Sequence, residues 1–204
     1  MNFLALLLST IPLANAQSSP ASSASPTPNP SPGGSESGSA FTLNIRWSNS
    51  PLSGPLSASA GSFWTGKPTA SYCPENVPGC QAVNTTSFEA QDGKLFLNAG
   101  VPGGQQVYIS PQGKLTYTVP HSGYIPSGSV TDFASWSGDF LNPFLTFWLC
   151  NGQGTDSNAW AVWLEYTNGT TGAITNNGMD GENACTRIAL QKGGYGGPAA
   201  WAFT

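Results

Sequence analysis

From Phe41 onward apolar and polar positions alternate. Phe41, Leu43, Ile45 and Trp47 are separated by Thr42, Asn44 and Arg46, the period of two that a strand shows when one face is buried. Two tandem hairpins follow. Ser87–Ala90 turns at Gln91-Asp92-Gly93 into Lys94–Leu97, and Gln106–Ile109 turns at Pro111-Gln112-Gly113 into Lys114–Thr118. Gly93 and Gly113 supply the positive φ of tight hairpin turns. Further strands are predicted at Thr131–Trp136, Phe144–Leu149, Trp160–Tyr166, Thr186–Leu190 and Ala200–Phe203. No segment sustains a 3.6-residue apolar period. About ten short strands separated by Gly, Pro, Asn and Asp predict one all-β domain over residues 41–204, a single antiparallel sandwich-like fold before a barrel. A β-trefoil is the alternative, because Phe41, Phe88 and Phe133 each open a strand at intervals of 47 and 45 residues.

Strand parity also nominates exposed aromatics. In Trp160–Tyr166, Trp160, Val162, Leu164 and Tyr166 share one face, and Ala161, Trp163 and Glu165 share the other. The Val/Leu face belongs to the core, which leaves Trp163 beside a charge. By the same count Phe144, Thr146 and Trp148 oppose Leu145, Phe147 and Leu149. Trp148 and Trp163 are the carbohydrate-contact candidates, since flat indoles stack on the apolar faces of sugars. Against this stands the general dominance of aromatics in cores and interfaces.

The segment before Phe41 has a different texture. Leu4–Leu13 is apolar and ends in Ala14-Asn15-Ala16. That run is too short to cross a bilayer, and with the small-residue site behind it reads as a secretory signal peptide over residues 1–16 rather than a buried helix. Residues 17–40 hold nine Ser and five Pro with Glu36 as the sole charge, a composition that predicts a disordered spacer, O-glycosylated or bare.

Charged residues are 8% of the chain, against roughly a quarter in average domains, and the net charge is −4. The surface must be built of hydroxyl and amide groups, which suits contact with neutral polymers such as polysaccharide and is common among secreted proteins. Six basic residues spread singly along the sequence argue against nucleic acid as a partner. No later apolar run reaches membrane-spanning length, and Gly193–Thr204 lacks a lipid-anchor tail, so no membrane anchor is expected. Four cysteines in a secreted chain imply disulfides, with three connectivities open. Cys73–Cys80 with Cys150–Cys185 is favoured, because Cys73 and Cys80 bracket the turn-rich Pro74–Gly79. Asn84-Thr85-Thr86 and Asn168-Gly169-Thr170 are N-glycosylation acceptors, which places Asn84 and Asn168 at the surface.

The order of these pieces carries a resemblance. It runs through Ser87–Leu97, Gln105–Ile109, Gly113–Thr118, Leu145–Cys150, Ala159–Trp163 and Ala184–Leu190. In this order and spacing the chain resembles the PhiA-type secreted cell wall proteins of filamentous fungi, some of them described as IgE-binding antigens. Its C-terminal half is also similar to the C-terminal domain of PIR-type cell wall mannoproteins. The resemblance implies a secreted, wall-associated, non-enzymatic protein, expected to be a monomer without cofactors. The Ser/Pro spacer, the short turn Ser110–Gly113 and the tail from Gly193 depart from the expected pattern.

Catalytic chemistry finds little to work with. His121, the one histidine, lies between Pro120 and Ser122-Gly123 in a predicted loop, and no Gly-x-Ser-x-Gly elbow accompanies it. The predicted mature terminus, Gln17, is not the histidine that copper-dependent polysaccharide cleavage requires. A small glycoside-cleaving enzyme would need two convergent carboxylates among Glu89, Asp132, Asp139, Glu165, Asp180 and Glu182. Solvated turn carboxylates are the simpler reading. Asn176–Asn183 is rich in oxygen ligands but lacks EF-hand spacing, so no metal is expected.

Overall fold

The computed structural model describes residues 39–46, 52–151, 158–167, 174–175 and 185–204. The expected signal peptide, all of the spacer before Ser39, Trp47, Asn168, Asp180, Glu182 and the Asn176–Asn183 run lie outside them. Among the described residues there is no helix and the strands are β1 (Phe41–Arg46), β2 (Gly54–Pro55), β3 (Ser57–Ser59), β4 (Ser62–Thr65), β5 (Ser71–Tyr72), β6 (Phe88–Gln91), β7 (Lys94–Leu97), β8 (Gln105–Ile109), β9 (Leu115–Tyr117), β10 (Trp136–Ser137), β11 (Phe140–Leu141), β12 (Thr146–Asn151), β13 (Trp160–Thr167), β14 (Ile174–Thr175), β15 (Cys185–Gly194) and β16 (Ala202–Phe203). The protein is all-β.

Nine strands form a closed ring in the order β15-β12-β13-β4-β9-β8-β7-β6-β1, and β1 returns to β15. Every pairing around it is antiparallel. Two seams are single residue pairs, Ser62↔Thr116 between β4 and β9 and Phe41↔Phe88 between β1 and β6. They divide the barrel into a β6–β9 meander and a five-stranded layer β4-β13-β12-β15-β1. The sandwich-like domain expected from the sequence is thus one sheet that closes on itself. The spacing of Phe41, Phe88 and Phe133 is not a threefold repeat, because Phe133 is buried outside any strand.

Local chemistry explains the well-anticipated parts. β6 and β7 are joined by Asp92-Gly93 alone, and both residues have positive φ (49° and 76°), the type I′ geometry that matches strand twist. In β8 and β9 the inward set Gln105, Val107, Ile109, Leu115 and Tyr117 is buried. Inside the ring Phe63 lies between Phe88 and Tyr117, with centroids 5.4 and 5.3 Å away, and Leu43, Ile45, Leu149, Val162, Leu164 and Leu190 complete the contact.

The C-terminal tail closes the structure. β16 pairs with β5, and Phe203 is fully buried. The buried Gln105 side chain holds it there: Nε2 donates to Thr118 O (3.0 Å) and Phe203 O (2.9 Å), and Oε1 accepts from Phe203 N (2.7 Å). Tyr117 adds a bond from its hydroxyl to Thr204 O at 3.0 Å.

Candidate functional site

Phe147, Leu149, Val162 and Leu164 turn inward, so β12 and β13 present Thr146, Trp148, Ala161, Trp163 and Glu165 outward. Trp148 and Trp163 are register partners, side by side on the outer face and both half-buried. The next strand adds a third ring, because Ala161 pairs with Trp64 of β4. Trp64 anchors its indole by donating from Nε1 to Ser59 O at 2.7 Å. The aromatic row therefore crosses three adjacent strands. At its other end Trp148 pairs with the exposed Arg187 of β15.

Two lysines sit on this row. Lys67 Nζ lies 4.1 Å from the Trp64 ring centroid, and Lys114 Nζ lies 4.8 Å from Trp64 and 5.7 Å from Trp163. Lys114, the residue before β9, reaches that place through an isolated antiparallel bridge to Trp163 of β13. Burial of its ammonium, and then the neighbouring Lys67 charge, push the Lys114 pKa below the ordinary lysine value. Cations over indole faces fix the rings and keep donors beside them. Trp148 Nε1 is buried and has no hydrogen-bond partner among the described residues.

Both disulfides pair as read from the sequence, Cys73–Cys80 and Cys150–Cys185. Cys150 and Cys185 are direct register partners with Cα atoms 4.1 Å apart, so the bridge ties β12 to β15 beside the tryptophans. Asn84 is exposed. His121 is also exposed, in a turn with φ of 60°. Of the candidate carboxylates, Glu89 lies on β6, Asp139 in the β10–β11 turn, Glu165 opposite Thr146 on the outer face, and Asp132 at 3.6 Å from Lys94 Nζ. Among the described residues no three His, Cys, Asp or Glu side chains gather as metal ligands.

Sequence reasoning missed Trp64, Lys67 and Lys114. Trp64 lies in Ser62-Phe63-Trp64-Thr65, where alternation is too brief to read, and the lysines reach the row only through register and side-chain length. It also missed that the basic residues, single along the chain, do not stay single in space. Arg46 and Arg187, the two arginines of the chain, line one cleft.

Comparison with known proteins gives a family and one relative. The model of the PhiA family, described as PhiA-like secreted protein, matches residues 42–204. An uncharacterized secreted protein of Arthroderma benhamiae is 43% identical over 76 residues, a match that covers 37% of this chain and 37% of that protein. No solved structure matches.

Proposed function

Since this chain belongs to the family of PhiA-like secreted proteins, we propose that it is a non-enzymatic protein of the fungal cell wall that rests on neutral wall polysaccharide through the row Trp64, Trp163 and Trp148. The observation that carries this reading is the direct pairing of Trp148 with Trp163 on the outer face, half-buried and braced by a disulfide two residues along β12. Braced rings lose little side-chain freedom when a sugar stacks on them. A surface with only 8% charged residues has few ionic groups to dehydrate against a neutral polymer. Expected partners are therefore wall glycans, with the protein acting as a monomer and without a cofactor.

Retention on insoluble chitin and on β-glucan tests the reading. Wild-type protein is retained on at least one of them, and Trp163→Ala and Trp148→Ala each lower retention while circular dichroism stays unchanged. Retention equal to wild type in both variants refutes the tryptophan row as the contact.

A further inference from the structure

A second site lies at the other end of the same layer and does not rest on the reading above. Ile188 and Leu190 of β15 turn inward, which leaves Arg187, Ala189 and Gln191 outward. On β1 the inward residues are Phe41, Leu43 and Ile45, so Arg46 is outward. Arg46 pairs with Ala189 and is thus the diagonal neighbour of Arg187, a relation that sets Cα atoms about 7–8 Å apart. A protein of net charge −4 with six cations has placed two guanidinium groups on one face of two adjacent strands. Like charges so placed repel unless an anion lies between them.

The space beside them is a cleft of about 660 Å³, within the range of small-molecule sites. Ala189 lies on its floor with Leu145 beside it, and the core residues Leu141, Phe147 and Ile188 border it. One wall is formed by Asn142, Pro143 and Leu145 of the β11–β12 connection. Asn142 pins it in shape: Nδ2 donates to Phe133 O at 2.9 Å, and Oδ1 accepts from Phe144 N at 3.2 Å. Phe140, 40% exposed, stands at the mouth. Arg46 is oriented by its Nε, which donates to Gln191 Oε1 at 2.6 Å. That bond occupies one of its five donors. No described carboxylate lies within ion-pair distance of either arginine; among the described residues the ion pair is Lys94–Asp132.

We propose that this cleft binds a monocarboxylate with an apolar body, the carboxylate between Arg46 and Arg187 and the body against Phe140 and Leu145. A planar guanidinium matches a carboxylate bidentately, and two of them leave no lone pair of the anion unpaired. The apolar floor offers nothing to a bare inorganic anion, and the arginines offer little to a neutral apolar molecule. Both halves of the ligand are required.

Isothermal titration of the intact protein with decanoate and with phenylacetate tests this, with 1-decanol, 2-phenylethanol and inorganic phosphate as probes of each half alone. At least one acid binds, its alcohol counterpart binds about tenfold more weakly or worse, and phosphate does not compete. Which acid binds identifies the body as aliphatic or aromatic. Arg46→Gln and Arg187→Gln each weaken the acid about tenfold, and Arg187→Lys falls between wild type and Arg187→Gln. Neither acid binding, equal affinity for acid and alcohol, or effective competition by phosphate overturns the proposal. These wild-type comparisons decide it even where a variant fails to fold. Unchanged affinity in both glutamine variants overturns it equally.

Discussion

Trp148 of β12 stands directly opposite Trp163 of β13 on the outside of the barrel, while their chain neighbours Phe147, Leu149, Val162 and Leu164 are fully or almost fully buried. Opposed residues in an antiparallel pair have Cβ atoms about 4.5–5.5 Å apart, so each indole shields part of the other. Because both rings are half-buried, Trp163→Ala loses only part of the contact of a core residue. Urea unfolding should show a loss of about 1–2 kcal/mol for Trp163→Ala, against about 3–5 kcal/mol for Phe63→Ala or Phe147→Ala. Equal losses in the three variants would place Trp163 in the core.

The two disulfides are expected to differ in weight. Cys150–Cys185 spans 35 residues and Cys73–Cys80 spans 7. Loop-closure entropy then assigns about 4 kcal/mol to the first and about 2 kcal/mol to the second. Double alanine replacement, Cys150→Ala with Cys185→Ala, should lower the urea midpoint more than the same change at Cys73 and Cys80. The reverse order would show that the Cys73–Cys80 loop organises the neighbouring tail contact.

Legibility in the sequence followed how much information sat within one strand. The β6–β7 hairpin was readable because Asp92-Gly93 can take only a few turns and the flanking apolar residues alternate. Trp148 and Trp163 were placed on the outer face by parity alone, since Phe147, Leu149, Val162 and Leu164 mark the inner face. β3 and the start of β4 were missed because Ser57-Ala58-Ser59 and Ser62 carry almost no apolar signal, although Ala58 is fully buried. The strand expected at Thr131–Trp136 is mostly absent. Phe133 and Ala134 are buried as its apolar content suggested, but the chain makes isolated bonds such as Ala134 N to Gly93 O instead of a ladder. Closure of the barrel through β1 and β15, and with it the meeting of Arg46 and Arg187, depends on register between segments more than 140 residues apart. Local periodicity holds no information about that.

Alkaline pH should expose Tyr117. Its ring is almost completely buried, and burial pushes the phenol from 10.0 up to about 12, opposed by the bond it accepts from Gly61 N. The unfolded chain then releases this proton first, so stability falls as pH rises from about 10 to about 12, by roughly 3 kcal/mol in all. Lys114 acts in the opposite sense at lower pH. Its lowered pKa means that the unfolded chain holds the proton longer, and stability rises as pH climbs through the lowered value toward 10.5. Chemical unfolding across this range should show both limbs. Tyr117→Phe should start about 1–2 kcal/mol lower, because Gly61 N and Thr204 O lose their partner, and should lack the Tyr117 decline.

Gln105 provides the sharpest test of how the tail is held. Its fully buried amide donates to Thr118 O and Phe203 O and accepts from Phe203 N, a pattern that needs a donor and an acceptor on one side chain. Gln105→Glu keeps the shape. An ionised carboxylate there still accepts from Phe203 N, but it faces two carbonyl oxygens and leaves both unpaired, at a cost on the order of 2–4 kcal/mol. Burial and those oxygens favour the protonated acid, which can still donate to one of them, so the folded-state pKa must rise above the unfolded value of about 4.3. The variant should therefore lose stability as pH rises from about 4.3 through that raised value, a decline absent in wild type. Urea midpoints measured for both proteins from acidic to neutral pH check this. Parallel curves would mean that water or backbone movement relieves the charge, and that the tail does not depend on Gln105 for its place.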